Sequence, residues 1–322
     1  MGTGATRVKP EIEKTTPLMT ATTSAGEAAF LILDRDFQIF LIKEKLVLES
    51  DDPEAVHDMR VAARRMRSAI QTFESFLPAA IVKSESELQW IFKRLGVVRD
   101  LDIDKEKLLA WHETTPGKEE AFQELADKLT EERKKARGEL KRSIHSQRYK
   151  QLVQELSASL SKGPSSHNAL ASVPVIVVAP DLIEKRYKRA RKIGKALTES
   201  SPSPEFHRLR KQAKKLRYTL DFFAELYGKS GEQMVSHLKG LQDLLGSRQD
   251  DVMASDHLKA IVATNGLAKG TKTVAKKIIS SFSDEAKQYA HDFEPAFEDV
   301  FGKPWRKLDR VMKKSRTQLW AD

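Results

Sequence analysis

The sequence predicts an all-α protein built as two similar helical bundles, and three observations predict it. Apolar residues recur at alternating steps of three and four through most of the chain, the spacing of one helix face. A segment carrying both an apolar and a basic pattern returns at an offset of 150 residues. Text with a β-like character is confined to one short run, Val173 to Val178.

Residues 1–25 are rich in Thr, Gly, Pro and Ala without an apolar period and read as a disordered leader. From Ala28 the chain is helical and apolar enough to be buried on more than one side. Asp51-Asp52-Pro53-Glu54 supplies a helix start, with acids in the first turn and proline at an early position. The helix it opens carries Val56, Met59, Ala63, Met66, Ile70 and Phe73 on one face and stops near Pro78. Another follows from about Val82 and reaches Leu95-Gly96. Glu119 to Leu160 reads as one long charged helix or a helix pair. Gly163 to Pro180 breaks the period, so 161–180 reads as a linker between a first bundle, 28–160, and a second, 181–320. Lys272 to Leu319 is again amphipathic, interrupted near Gly302-Lys303-Pro304.

In the second bundle, His207 falls on His57, Arg210 on Arg60, Lys214 and Lys215 on Arg64 and Arg65, and Arg217 on Arg67. The register holds onward: Leu238 falls on Leu88, Leu245-Gly246 on Leu95-Gly96, and Asp250 on Asp100. Two helix pairs in step without an insertion form an internal repeat. Duplicated halves commonly pack about a pseudo-twofold axis. Such packing would let equivalent edges line one shared groove or pore.

The chain has 322 residues, 56 Lys+Arg against 46 Asp+Glu, and a formal net charge of +10, which favours polyanionic partners. Charged residues make up 32% and the mean hydropathy is -0.49, as in soluble proteins. With no cysteine there is no disulfide, thiolate metal site or cysteine nucleophile. No apolar run approaches the roughly 20 residues that span a bilayer. The N-terminus lacks the apolar core of a secretory signal, so a cytoplasmic location is expected.

The basic residues of the repeat form a stripe beside the apolar one. His57, Arg60, Arg64 and Arg67 follow the same steps as the core face, displaced by one residue, with only Asp58 as an acid beside them. From His57 to Arg67 the stripe extends roughly 15 Å at 1.5 Å per residue, the reach of several phosphates in a chain. Arginine offers forked donors to phosphate oxygens, lysine a mobile charge, and histidine a charge that grows as pH falls. A basic stripe is commonly just a solvated face. Here it borders the core seam, and duplication of the core alone does not require surface positions to stay basic in both copies. Lys134, Arg137 and Lys141, and Lys188, Arg191 and Lys195, form two similar stripes of second rank.

The segments VHDMRVAARRMRSAIQTF, LGVVRDLDI, HRLRKQAKKLRYTLDFF and LKGLQDLLGSRQDD resemble the paired motifs of the CHAD family, the conserved-histidine α-helical domain. The resemblance covers roughly residues 28 to 320. It implies two four-helix bundles related by pseudo-twofold symmetry around a basic pore, binding of inorganic polyphosphate, and association with polyphosphate granules. Carried over residue by residue, the binding positions it implies are His57, Arg60, Arg64, Arg65 and Arg67, with His207, Arg210, Lys214, Lys215 and Arg217. Arg65 and Lys215 lie on the other side of the histidine from the rest.

Other chemistries remain to be weighed. Asp100, Asp102 and Asp104, with Asp250 and Asp251, suggest a magnesium site for phosphoryl transfer, but residues two apart do not share a helix face. Asp100 and Asp250 read more simply as structural acids pairing with arginine on a neighbouring helix. His112, His145, His167, His237, His257 and His291 lack ligand spacing. No phosphate-binding loop or nucleophile motif is present, so no enzyme, cofactor or metal is expected. A nucleic-acid binder should interleave aromatics along its basic face, and only Tyr218 lies beside the stripes.

Overall fold

The computed structural model describes residues 19–164, 168–198, 200–264, 266–288 and 292–318. The first helix, α1 (Ala25–Glu49), opens on a reciprocal cap: the Glu27 amide donates to the Ser24 hydroxyl (3.2 Å), and the Ser24 amide donates to the Glu27 carboxylate (2.9 Å). That satisfies end groups a helix cannot pair internally. Asp52 caps α2 (Pro53–Thr72) by accepting from the Glu54 amide at 2.9 Å, and Pro53 occupies the first turn, where its missing N–H costs nothing. A short 3₁₀ turn, Glu74–Phe76, leads to α3 (Ala79–Thr114). The long charged stretch is a pair, α4 (Glu119–His145) and α5 (Gln147–Leu160), parted where Ser146 leaves the helical conformation and caps α5.

The second half follows the same order: α6 (Val175–Gly194), α7 (Ser203–Phe223), α8 (Gly228–Ala263), α9 (Lys269–Gln288), α10 (Phe293–Phe301) and α11 (Lys303–Gln318). Helices α1, α2 and α4 begin 150 residues before α6, α7 and α9. The long helices α3 and α8 are each 36 residues, or roughly 54 Å. The repeat therefore extends over four helices of each half, beyond the two pairs legible in the sequence.

Both apolar stripes are sealed. Val56, Met59, Ala63, Met66, Ile70 and Phe73, like Leu209, Ala213, Leu216, Leu220 and Phe223, are at most 1% exposed. Burying each large side chain contributes roughly 1.5–3 kcal/mol. These stripes belong to one continuous core running through both halves. A second core joins the far ends of α3, α4, α8 and α9, again with members from each half. The halves also touch at equivalent positions. The Phe73 and Phe223 rings are 5.5 Å apart, the Ala25 amide donates to the Val173 carbonyl, and the Val175 amide donates to the Thr23 carbonyl, both at 2.8 Å.

Two expectations are corrected. Val173–Val178 is not a strand: α6 starts at Val175, and the β-branched run is the buried first turn of a helix, where packing overrides a weak local preference. Extended pairing is limited, among the described residues, to an isolated bridge between Ser24 and Pro174. The break between halves is also shorter than 161–180, since Val175 to Pro180 belong to α6. The leader and His167 and His291 fall wholly or mostly outside the described residues, apart from 19–25, where α1 already begins at Ala25.

Candidate functional site

Helices α2 and α7 cross at Thr72 and Thr219, whose hydroxyls are 3.2 Å apart, and this crossing turns the two basic edges toward one another. Arg60 and Arg64 of α2 meet Arg210 and Lys214 of α7 in a half-buried cluster, where burial and the neighbouring cations lower the pKa of Arg60, Arg210 and Lys214. Burial first, and then Arg64, Arg210 and Arg60, push the Lys214 ammonium down to about 6. Burial and Arg64 push Arg60 down to about 10. Like charges held together out of water are unfavourable unless something balances them.

Several features hold the cluster open. Gly96 lies where a Cβ would stand 3.4 Å from Arg60 Nε, and Gly246 is the corresponding neighbour of Arg210 at 3.8 Å. The Arg60 and Arg67 guanidiniums lie 4.4 and 5.3 Å from the Phe92 ring, and Arg64 and Arg217 lie 5.4 and 4.5 Å from Tyr218. Aromatic faces can fix a cation without neutralising it. Arg60 Nε, Arg64 Nε and Arg210 Nε are buried with no hydrogen-bond partner among the described residues. Buried donors of this kind normally have an acceptor.

Acids stand close by. Asp250 lies 3.4 Å from Arg210, and Asp100 is near Arg60; burial raises the pKa of both carboxyls against the pull of those arginines. The pairing of Asp250 with an arginine follows the expectation from sequence. The other acids point elsewhere. Asp102 holds Arg133, Asp251 holds Lys107, and Asp104 holds His257 at 2.5 Å. Asp104 and Glu132 raise His257 to about 9. With Asp100 and Asp250 these residues line a cavity of about 260 Å³ beside the basic cluster. Among the described residues, no three His, Asp or Glu side chains form a metal-binding group.

The remaining sequence-predicted positions divide. His57 and His207 are partly buried at the start of each stripe, and burial lowers both pKa values. His207 Nδ1 is 2.7 Å from Gln249 Oε1, and Arg99 stands near His57. Arg67 is paired with Glu85 at 2.8 Å, and Arg217 with Gln242 at 2.8 Å. Arg65 lies off the cluster, with its Nε 3.0 Å from Asp36 and its Nη1 on Asp221, and those two carboxylates hold its charge firmly. Lys215 lies near Arg186, Arg189 and Arg67 instead.

In the second-rank stripes, Arg137 donates to the Val47 and Ser50 carbonyls and Lys141 to the Leu48 carbonyl. They close the C-terminal end of α1 and are not part of the cluster. Lys188 is exposed and pairs with Glu184; Lys134 and Lys195 are exposed, and Arg191 is half-buried with its Nε lacking a hydrogen-bond partner among the described residues. Phe92, Arg99 and Gln249 lacked a distinguishing sequence signal. Gly96 and Gly246 had one, since both recur in the repeat.

A family model described as CHAD domain matches residues 31–259. The chain belongs to the CHAD family. The match stops within α8, whereas the resemblance of motifs extends to about residue 320. Two uncharacterized Mycobacterium tuberculosis proteins, from strains CDC 1551 / Oshkosh and H37Rv, are 30% identical to this CHAD protein over 287 residues, covering 84% of it. The chain spans about half, 51%, of the length of those relatives. The crystal structure of the CHAD domain from the plant Ricinus communis superposes with a TM-score of 0.73 at 22% identity, covering 88% of this chain and 95% of that one. PptA from Streptomyces chartreusis gives 0.66 at 20% identity, covering 87% and 100%. Both share the all-α fold. Among the described residues no helix is long and apolar enough to cross a membrane.

Proposed function

We propose that this protein binds inorganic polyphosphate, without turning it over, in a basic groove between its two halves. The observation that carries the reading is the set Arg60, Arg64, Arg210 and Lys214, which comes from both halves and presents three buried guanidinium Nε donors with no hydrogen-bond partner among the described residues. A phosphate chain supplies the acceptors and the negative charge together. The near-equal helix starts and the reciprocal contacts at residues 25 and 175 support a pseudo-twofold arrangement with the groove along the interface. Family membership supports polyphosphate over other polyanions, because the motif resemblance implies that ligand. Location in the cytoplasm on polyphosphate granules belongs to the same reading.

Titration with long-chain polyphosphate, tripolyphosphate and single-stranded DNA at matched salt tests it. Submicromolar binding of the long chain is expected, weakening steeply with salt as counterions are released. It should vanish when Arg60, Arg64, Arg210 and Lys214 become alanine. Equal affinity for DNA would overturn the specificity and favour nucleic-acid binding. Asp100 and Asp250 beside the cluster are the observation that favours a phosphoryl-transfer enzyme as the second reading. Phosphate release from polyphosphate with Mg²⁺, abolished by Asp100→Ala, would establish that reading instead.

A further inference from the structure

Beside the α2–α7 crossing the two halves depart from one another in charge. On one side, Arg65 sits between Asp36 and Asp221. Shifting each by 150 gives the other side: Arg186 in place of Asp36, Lys215 in place of Arg65, and Gln71 in place of Asp221. The ion trio of the first side becomes a group of like charges on the second. Arg186 donates to the Gln71 carbonyl at 3.1 Å, and Arg189 on the same helix stands next to it. Arg186, Arg189 and Arg67 all act on Lys215, and burial lowers the pKa of both Lys215 and Arg186. The acid beside them, Glu85, is already shared by Arg67 and Gln71.

Arg67 links this group to the central cluster, because its guanidinium shares the Phe92 ring with Arg60. On the polyphosphate reading of the groove, on which this rests, we propose that Arg186, Arg189 and Lys215, with Arg67, form a phosphate-binding outlet on one side. A bound chain longer than the central cluster leaves the protein there and not past Arg65. On the Arg65 side one cation is balanced by two carboxylates, Asp36 and Asp221; on the other side Arg186, Arg189, Lys215 and Arg67 stand near a single acid, Glu85. The groove of a duplicated protein is thereby given a direction.

The test is Arg186→Asp, which installs the carboxylate that the first half carries at Asp36, together with Arg189→Ala at an exposed position. Both variants should bind tripolyphosphate as the unaltered protein does. Arg186→Asp should bind long-chain polyphosphate about tenfold more weakly, the worth of one charge-assisted hydrogen bond. Its salt dependence should be shallower by about 1 in slope for each cation that no longer meets a phosphate. Arg64→Ala, in the central cluster, should weaken both ligands. The thermal midpoint of Arg186→Asp should hold or rise, since a repulsion is replaced by an attraction to Lys215. Unchanged long-chain affinity, or an equal loss for both chain lengths, would overturn the outlet while leaving the central site intact. If the unaltered protein binds neither ligand, the polyphosphate reading fails first and the outlet with it.

Discussion

Lys214 is a cation placed where it cannot easily carry its charge. Burial and three arginines push its pKa from 10.5 to about 6, so at neutral pH the ammonium is mostly deprotonated. The unfolded chain binds this proton up to about 10.5 and the folded one only up to about 6. Between those values unfolding takes up a proton, and the contribution of this residue to stability rises with pH. Lys214→Met should therefore raise the thermal midpoint of the unliganded protein. The gain should be small near pH 10 and largest near pH 6 and below; a gain that does not grow as pH falls would show that the residue is not charge-stressed. A polyanion reverses the stress. Polyphosphate binding at pH 7.5 should take up protons, read by calorimetry in buffers of different ionisation enthalpy, and the uptake should shrink in Lys214→Met. His57 and His207, both held down by burial, add to the uptake at lower pH, so affinity should rise from pH 8 to 6. A profile that goes flat in Lys214→Met would remove the histidines from contact with phosphate.

At the scale of helices, one close approach decides how the last elements attach. A Cβ on Gly194, near the end of α6, would stand 2.0 Å from the Phe297 ring of α10, which stacks on Phe301 with centroids 4.5 Å apart. Gly194→Ala should force that ring aside and cost about 1–3 kcal/mol, seen as an earlier denaturant midpoint with polyphosphate affinity retained. Helix faces such as these account for what was legible in the sequence. The apolar period located the helices, and the basic stripe was readable because it kept a fixed displacement from that period in both copies. What the stripes meet was not readable from period alone. Arg137 and Lys141 follow the same displacement as Arg60 and Arg64, yet they close the carbonyl end of α1. Whether a basic edge faces an open groove or a neighbouring helix end depends on packing between elements. Val173–Val178 misled for a related reason: a short buried apolar run has no period to separate helix from strand. The acids likewise find their partners across the halves, Asp251 with Lys107 and Asp104 with His257, at separations that local spacing cannot register.

The molecule as a whole behaves as one body, because its main core and its second core both draw residues from each half. Arg65 fastens the halves at the surface of that core. It joins Asp36 of α1 to Asp221 of α7, and Asp36 is only 1% exposed. Removing one partner of a buried pair leaves the other charge without compensation, which costs roughly 3–5 kcal/mol. Arg35 remains 3.5 Å from Asp36, so the lower end of that range, about 3 kcal/mol, is expected for Arg65→Met. Because the cores are shared, the substitution should not detach one half. Circular dichroism and tryptophan fluorescence should follow a single, coincident denaturant transition in the unaltered protein and in Arg65→Met, displaced to lower denaturant with an unchanged slope. Two separated transitions would mean that the repeats fold as independent bundles. Tripolyphosphate affinity should survive the substitution, since the Arg65 guanidinium faces the carboxylates and not the central cluster. Loss of binding in a folded Arg65→Met protein would return Arg65 to the site from which its ion pairs separate it.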